Sequence, residues 1–136
     1  MYLLDTNILS ELIKKRPSPL MLSQLGSKPA HTLFTSCICI MELRFGSVLR
    51  QDTEIFWEKV TQEIISRVNI VPIAEREALS AGNILAELRK KGESIGLEDV
   101  LIAASAITNH YILVTANVRH FSRIKSLKVE NWLEAV

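Results

Sequence analysis

Three carboxylates and two small polar residues carry the chemistry available to this sequence. Asp5, Glu42 and Asp99 each stand against strongly apolar sequence, and Thr115 and Asn117 follow the apolar run Ile112-Leu113-Val114. Asp occurs only at positions 5, 52 and 99, and Asp52 lies in a polar turn that needs no further explanation. An ionised carboxylate beside a core is costly unless something compensates it, and a bound cation would do so. Carboxylates that converge with no His or Cys nearby make a hard-cation site, whose oxygen ligands select Mg2+ or Mn2+ over zinc or copper. Such a site suits in-line attack of water on a phosphodiester, because the metal lowers the pKa of water and stabilises the attacking and leaving oxygens.

Each residue also has a plainer reading. Asp5 could be a helix N-cap. Asp99, in Gly96-Leu97-Glu98-Asp99, could stabilise a helix start by charge–dipole attraction, although Glu98 can already do this from a solvated position. Glu42 could pair with Arg44 at the surface, although residues two apart on a helix do not face each other. Asn117 could be a turn residue or a cap. Gly46 stands one turn after Glu42. A mid-helix Gly costs about 1 kcal/mol relative to Ala, which suggests close approach of another group.

The elements that must position these residues alternate in type. Residues 2–4 read as a short buried strand running into Asp5, so Asp5 lies just outside a strand's carboxyl end, where open α/β sheets bind ligands. Further strands are expected at 33–35, 69–71 and 112–115, with a last edge strand at 127–130. Helices are expected at 6–15, stopped by Pro17 and Pro19, and at 19–25, ended by Gly26. Others are expected at 38–49, 53–67 and 74–91, the last closed by Gly92, with a helix buried nearly all round at 100–107. Strands separated by helical stretches imply an α/β fold with a parallel sheet covered on both faces.

The bulk numbers narrow the function classes. A chain of 136 residues is expected to form one domain, 1–136, with a full core. Net charge is +1, so the chain is no obvious polyanion binder. Local basic clusters nevertheless occur at Lys14-Lys15-Arg16, at Arg89-Lys90-Lys91, and at Arg119, Arg123, Lys125 and Lys128. Around an acidic centre they would accept a phosphate backbone. No apolar run approaches membrane-spanning length and no signal-peptide pattern opens the chain, so a cytoplasmic location is expected. Cys37 and Cys39, two apart, read as small buried hydrophobes rather than as a disulfide or a metal pair.

Four segments together carry a resemblance. They are Leu3-Leu4-Asp5-Thr6-Asn7, Met41-Glu42-Leu43-Arg44-Phe45-Gly46, Ile95-Gly96-Leu97-Glu98-Asp99-Val100-Leu101-Ile102-Ala103-Ala104, and Leu113-Val114-Thr115-Ala116-Asn117-Val118-Arg119-His120-Phe121. In this order and spacing the chain resembles the PIN-domain family, and within it the VapC-type ribonuclease toxins of bacterial type II toxin–antitoxin pairs. The resemblance implies a three-layer α/β sandwich, with a central parallel sheet of four to five strands and helices on both faces. It implies a Mg2+- or Mn2+-dependent endoribonuclease that cuts tRNA or rRNA, inhibits translation and is neutralised by a cognate VapB-like antitoxin. Metal-ligand roles carry over onto Asp5, Glu42 and Asp99. Asn117 matches a fourth position that is often Asp and often Asn. Thr115 matches a polar residue that helps position the metal, its water or a neighbouring carboxylate. His120 departs from the pattern, because many relatives have an acidic residue there, and this puts a second metal site in doubt.

Two partner surfaces are expected. Ile8, Leu9, Leu12 and Ile13, with Ile55, Phe56, Trp57 and Val60, could form a groove for an antitoxin helix. A homodimer is expected through a different surface, on the helix at 74–91 and its neighbours. DNA would be contacted only through the antitoxin. An alternative function is a PIN-fold subunit of a DNA-binding toxin–antitoxin complex whose main output is transcriptional regulation.

Overall fold

The computed structural model describes residues 1–135, so Val136, the last residue of the expected 1–136 domain, lies outside the described residues. Five strands form one parallel sheet: β1 (Tyr2–Leu4), β2 (Leu33–Ser36), β3 (Asn69–Val71), β4 (Ile112–Val114) and β5 (Val129–Glu130). Their order is β3-β2-β1-β4-β5. Helices cover both faces, giving the expected three-layer α/β sandwich. Strands β1 and β4 contribute Leu3, Leu4, Leu113 and Val114, all essentially without exposure. Their continuous apolar sequence is what a strand covered on both faces requires.

The sheet order sets the place of the site. The chain builds outward from β1 through β2 to β3, then crosses back over β1 to lay down β4 and β5 on the other side. The connections leaving β1 and β4 therefore diverge. A crevice opens between the carboxyl ends of these strands, which are aligned at Leu4 and Val114. Asp5 and Thr115 are the residues that follow.

Seven helices accompany the sheet among the described residues: α1 (Thr6–Leu9), α2 (Pro19–Gly26), α3 (Cys37–Val48), α4 (Thr53–Glu63), α5 (Glu75–Lys90), α6 (Leu97–Asn109) and α7 (Val118–Phe121). The expected helix at 6–15 is shorter and divided, with α1 tightening into a 3-10 turn at Ser10–Ile13. Glu11 supplies the reason. Its carboxylate is buried, accepts the Ser18 N–H at 3.0 Å and pairs with Lys14, which draws the chain back before Pro17. The helix expected to reach 67 ends at Glu63, and a 3-10 turn at Ile65–Arg67 leads into β3. Helix α6 is longer than the expected 100–107, because an apolar pattern marks only its buried middle. Its first turn, from the Gly96 cap, contains Asp99.

The structure corrects two expectations about apolar surface. Ile8, Leu9 and Val60 are core residues, and Leu12, Ile13, Phe56 and Trp57 are half-buried against that core, so no open groove runs along the first helix. Uncovered apolar residues cluster instead at Met41, Phe45, Val48 and Leu49 on and just after α3, with Ile55 on α4. Gly46 is also exposed, and among the described residues a Cβ there would meet no group from another element within 4 Å, so the expected close approach is not seen. Cys39 is buried as expected and Cys37 is half-buried.

Helices α5 and α6 end in the same way. After α5, the Glu93 N–H returns to the Leu88 carbonyl at 2.9 Å and the Gly92 N–H to Arg89. After α6, the Tyr111 N–H returns to Ala106 at 2.8 Å and the His110 N–H to Ile107. Both are Schellman caps, whose pivot residue takes a left-handed conformation. Gly92 accepts φ 70° freely, whereas His110 is a side-chain-bearing residue held at φ 59°. A left-handed L-residue costs about 1–2 kcal/mol, partly offset by the greater freedom of Gly in the unfolded chain. His110→Gly is therefore expected to leave the fold intact and raise stability by about 0.5 kcal/mol in urea denaturation, whereas Gly92→Val lowers it by more than 1 kcal/mol.

Candidate active site

Asp5 is the centre of the site. Its backbone remains extended, and its N–H donates to the Val114 carbonyl at 2.9 Å, which continues the β1–β4 ladder by one residue. Its carbonyl accepts from Ile8 and Leu9 and so starts α1. Its side chain does serve as an N-cap, with Oδ1 accepting the Thr6 N–H at 2.8 Å. Capping is only part of its environment. Oδ2 accepts the Thr115 hydroxyl at 2.8 Å and lies 3.4 Å from Asn7 Nδ2. The residue is 5% exposed.

The other expected residues arrive from separate elements. Glu42 projects from α3, and Oε1 accepts the Thr6 hydroxyl at 2.8 Å. Asp99 lies in the first turn of α6, and its Oδ2 stands 2.9 Å from His120 Nε2 on α7. Thr115 is fully buried, and its hydroxyl also accepts the Asn117 N–H at 3.1 Å. Asn117 thus joins the network through its backbone. Its side chain is exposed and makes no hydrogen bond among the described residues.

Two residues without an expected role complete the frame. Thr6 bridges Asp5 and Glu42, one through its N–H and the other through its hydroxyl. Asn7 reaches across the crevice, with Oδ1 accepting the Ala116 N–H at 3.0 Å and Nδ2 directed to Asp5 and Thr115. Their places immediately after Asp5 were the available signal, but their partners lie far along the chain. The structure also corrects the expectation that no Cys or His is near. Ligand atoms of Asp5, Cys39 and Glu42 all lie within 4.8 Å of one another, and His120 touches Asp99. Burial, aided by the Asp5 charge, pushes the Cys39 thiol up to about 12. It remains a neutral thiol at pH 7, and its sulfur lies 4.0 Å from Asp5 Oδ1.

The electrostatics are unfavourable without a cation. Burial raises the Asp5 carboxyl above its ordinary value against the opposing hydrogen bonds from Thr115 and Thr6, and the Asp99 charge adds to the rise. Glu42 is raised by the same desolvation, with further repulsion from Asp5, Asp99 and Glu98. Among the described residues, no Lys or Arg forms an ion pair with Asp5, Glu42 or Asp99. Clustered carboxylates without cationic partners, joined by hydroxyl and amide groups, fit a hard divalent cation. Asp5 and Glu42 would hold it, with Asp99 at the far wall.

Comparison with known proteins agrees with this geometry. The PIN domain pattern matches residues 2–127. The chain belongs to the PIN-domain family. The ribonuclease VapC2 of Haemophilus influenzae is 38% identical over 132 residues, covering 97% of this chain and 98% of that protein. The tRNA(fMet)-specific endonuclease VapC of Salmonella typhimurium is 31% identical, covering 96% and 97%. Among solved structures, VapBC2 from Rickettsia felis bound to a promoter DNA fragment contains a chain that superposes with a TM-score of 0.87. That chain is 34% identical, and the match covers 96% of this chain and 98% of that one. The present PIN domain therefore shares its fold and nearly its full length with VapC proteins.

Two measurements check the electrostatics. A carboxyl raised on folding favours the folded state while protonated, and that contribution is lost as pH rises through the folded value. At pH 7 the charged groups therefore cost stability. Asp5→Asn and Glu42→Gln are each expected to raise Tm at pH 7, by about 3 °C for each 1 kcal/mol relieved. The gain should shrink as pH falls to the ordinary values of 3.8 and 4.5. In contrast, Thr115→Val removes the donor to Asp5 Oδ2 and should lower stability by about 1–3 kcal/mol at pH 7, measured by chemical denaturation.

Proposed function

We propose that this PIN domain, spanning 1–136, is a Mg2+- or Mn2+-dependent endoribonuclease and the toxin of a type II toxin–antitoxin pair. The observation that carries the reading is the buried Asp5 carboxylate at the strand-end crevice, beside Glu42 and near Asp99, with no Lys or Arg paired to any of the three among the described residues. A divalent cation, when bound, would supply positive charge to this cluster and lower the pKa of a water attacking the phosphodiester. The protein's part is positioning. Thr6, Asn7 and Thr115 fix both oxygens of Asp5, Thr6 holds Glu42, and His120 holds one oxygen of Asp99. Asn117 and Thr115 close the rim after β4.

RNA is the substrate class, tRNA or rRNA, and the Salmonella relative named for tRNA(fMet) favours tRNA. Arg119 is exposed beside His120, and Arg123 ties α7 to the Ser94 carbonyl at 3.2 Å. Lys14, Lys15 and Arg16 are exposed after the 3-10 turn. These cations would contact phosphates around the acidic centre. A cytoplasmic location fits this reading, and no described helix is long and apolar enough to cross a membrane. A purely regulatory, DNA-binding role is less favoured, because a vestigial site would have no reason to keep a buried Asp5 carboxylate that costs stability.

The VapBC2 structure pairs a related chain with an antitoxin on promoter DNA, and this chain would likewise take a VapB-like antitoxin, meeting DNA only through it. Phe45, Leu49 and Ile55, at 66%, 72% and 76% exposure, offer an apolar surface for an antitoxin helix. Leu79 and Leu85, exposed on α5, would serve a homodimer.

Purified protein should cleave RNA with Mn2+ and stop when the ion is chelated. Asp5→Asn and Asp99→Asn should each lower the rate by at least about 100-fold, the scale seen when a charge-stabilising group is lost from an active site, while remaining folded by circular dichroism. Full cleavage by a folded Asp5→Asn protein rejects the assignment. Phe45→Glu should weaken co-purification with the antitoxin while leaving RNA cleavage intact.

A further inference from the structure

His120 reaches the acidic site from α7, where it meets Asp99. Its ring is fixed from two sides. Phe121, next to it on α7, is fully buried and anchors this one-turn helix, and the two rings meet edge-on with centroids 5.4 Å apart. Nε2 then lies 2.9 Å from Asp99 Oδ2. An ionised carboxylate only accepts hydrogen bonds, so Nε2–H donates. Asp99 is also absent from the group of ligand atoms within 4.8 Å of one another, which comprises Asp5, Cys39 and Glu42.

We infer that His120 is a positioning residue that ties up one oxygen of Asp99 and thereby limits the acidic site to a single divalent cation. A second cation beside Asp99 would need that oxygen together with another acceptor. The structure places an N–H donor there instead, and the exposed Asn117 side chain, three residues before His120, carries no charge. Arg119, exposed on the same turn, adds positive charge on this side. The outer half of the site is therefore suited to anionic oxygens of a phosphate rather than to a metal ion. The contact restricts how the Asp99 carboxylate can turn, as hydrogen-bonded outer groups do for metal ligands generally. This inference rests on the metal-dependent reading above.

The test is calorimetric titration of the full chain with Mn2+ at low salt without RNA, paired with electron paramagnetic resonance, which detects coupling between neighbouring Mn2+ ions. The native protein should bind one equivalent with no coupled signal. His120→Glu should bind two and show coupling. His120→Gln, whose amide can donate as Nε2 does, should keep one equivalent at near-native affinity. His120→Ala should also keep one, weakened about 10-fold, because Asp99 is no longer held. Thermal melts of each variant establish that it is folded. Two equivalents in the native protein, or one uncoupled equivalent in folded His120→Glu, overturns the inference and leaves the single-site nuclease reading standing. If Mn2+ binding is absent, or is unchanged in Asp5→Asn, the metal reading itself fails and this inference with it.

Discussion

Burial of one negative charge governs this molecule. Asp5 sits at the end of a core strand with almost no contact with solvent, and a carboxylate in such a place must be surrounded by donors or neutralised. The chain supplies donors: a backbone N–H from Thr6, a hydroxyl from Thr115 and an amide from Asn7. These do not suffice, since the carboxyl is still raised above its ordinary value. The residual cost is what a cation would remove. A cation bound there would draw its affinity in part from that relieved cost.

The parallel sheet makes that arrangement possible. β1 and β4 are paired through their whole length, so Asp5 and Thr115 emerge side by side although 110 residues separate them. Diverging connections leave the crevice above them open. Helices α3 and α6 then bring Glu42 and Asp99 to the same end of the sheet, and α7 returns His120 against Asp99. Five elements thus contribute one or two side chains each, and small hydroxyl and amide residues couple them. Thr6 is the tightest coupling, because it contacts two carboxylates at once.

The balance between hard and soft ligands follows from burial. Cys39 approaches Asp5 and Glu42 closely enough to be counted with them, yet the apolar surroundings and adjacent negative charge keep its thiol protonated. The carboxylates therefore set the character of the pocket. At Asp99, His120 contributes a hydrogen-bond partner, and Arg119 beside it in sequence is exposed.

The sequence by itself determined the alternation of strands and helices, the apolar inner strands, and the candidacy of Asp5, Glu42 and Asp99. Those properties are local: a short apolar run reads as a buried strand, and an isolated carboxylate against apolar residues reads as an expense needing a reason. Helix limits near Glu11 and Ile64 were less legible, because a buried carboxylate contact and a change of backbone angle ended those helices rather than any break in periodicity. Only tertiary structure decided which groups touch. It buried Ile8, Leu9 and Val60, left the α3 surface uncovered, placed Cys39 unexpectedly beside Asp5 and Glu42, and set His120 in contact with Asp99. It also gave Thr6 and Asn7 their roles, since a hydrogen bond across 36 or 109 residues depends on sheet order and register, which no local pattern encodes.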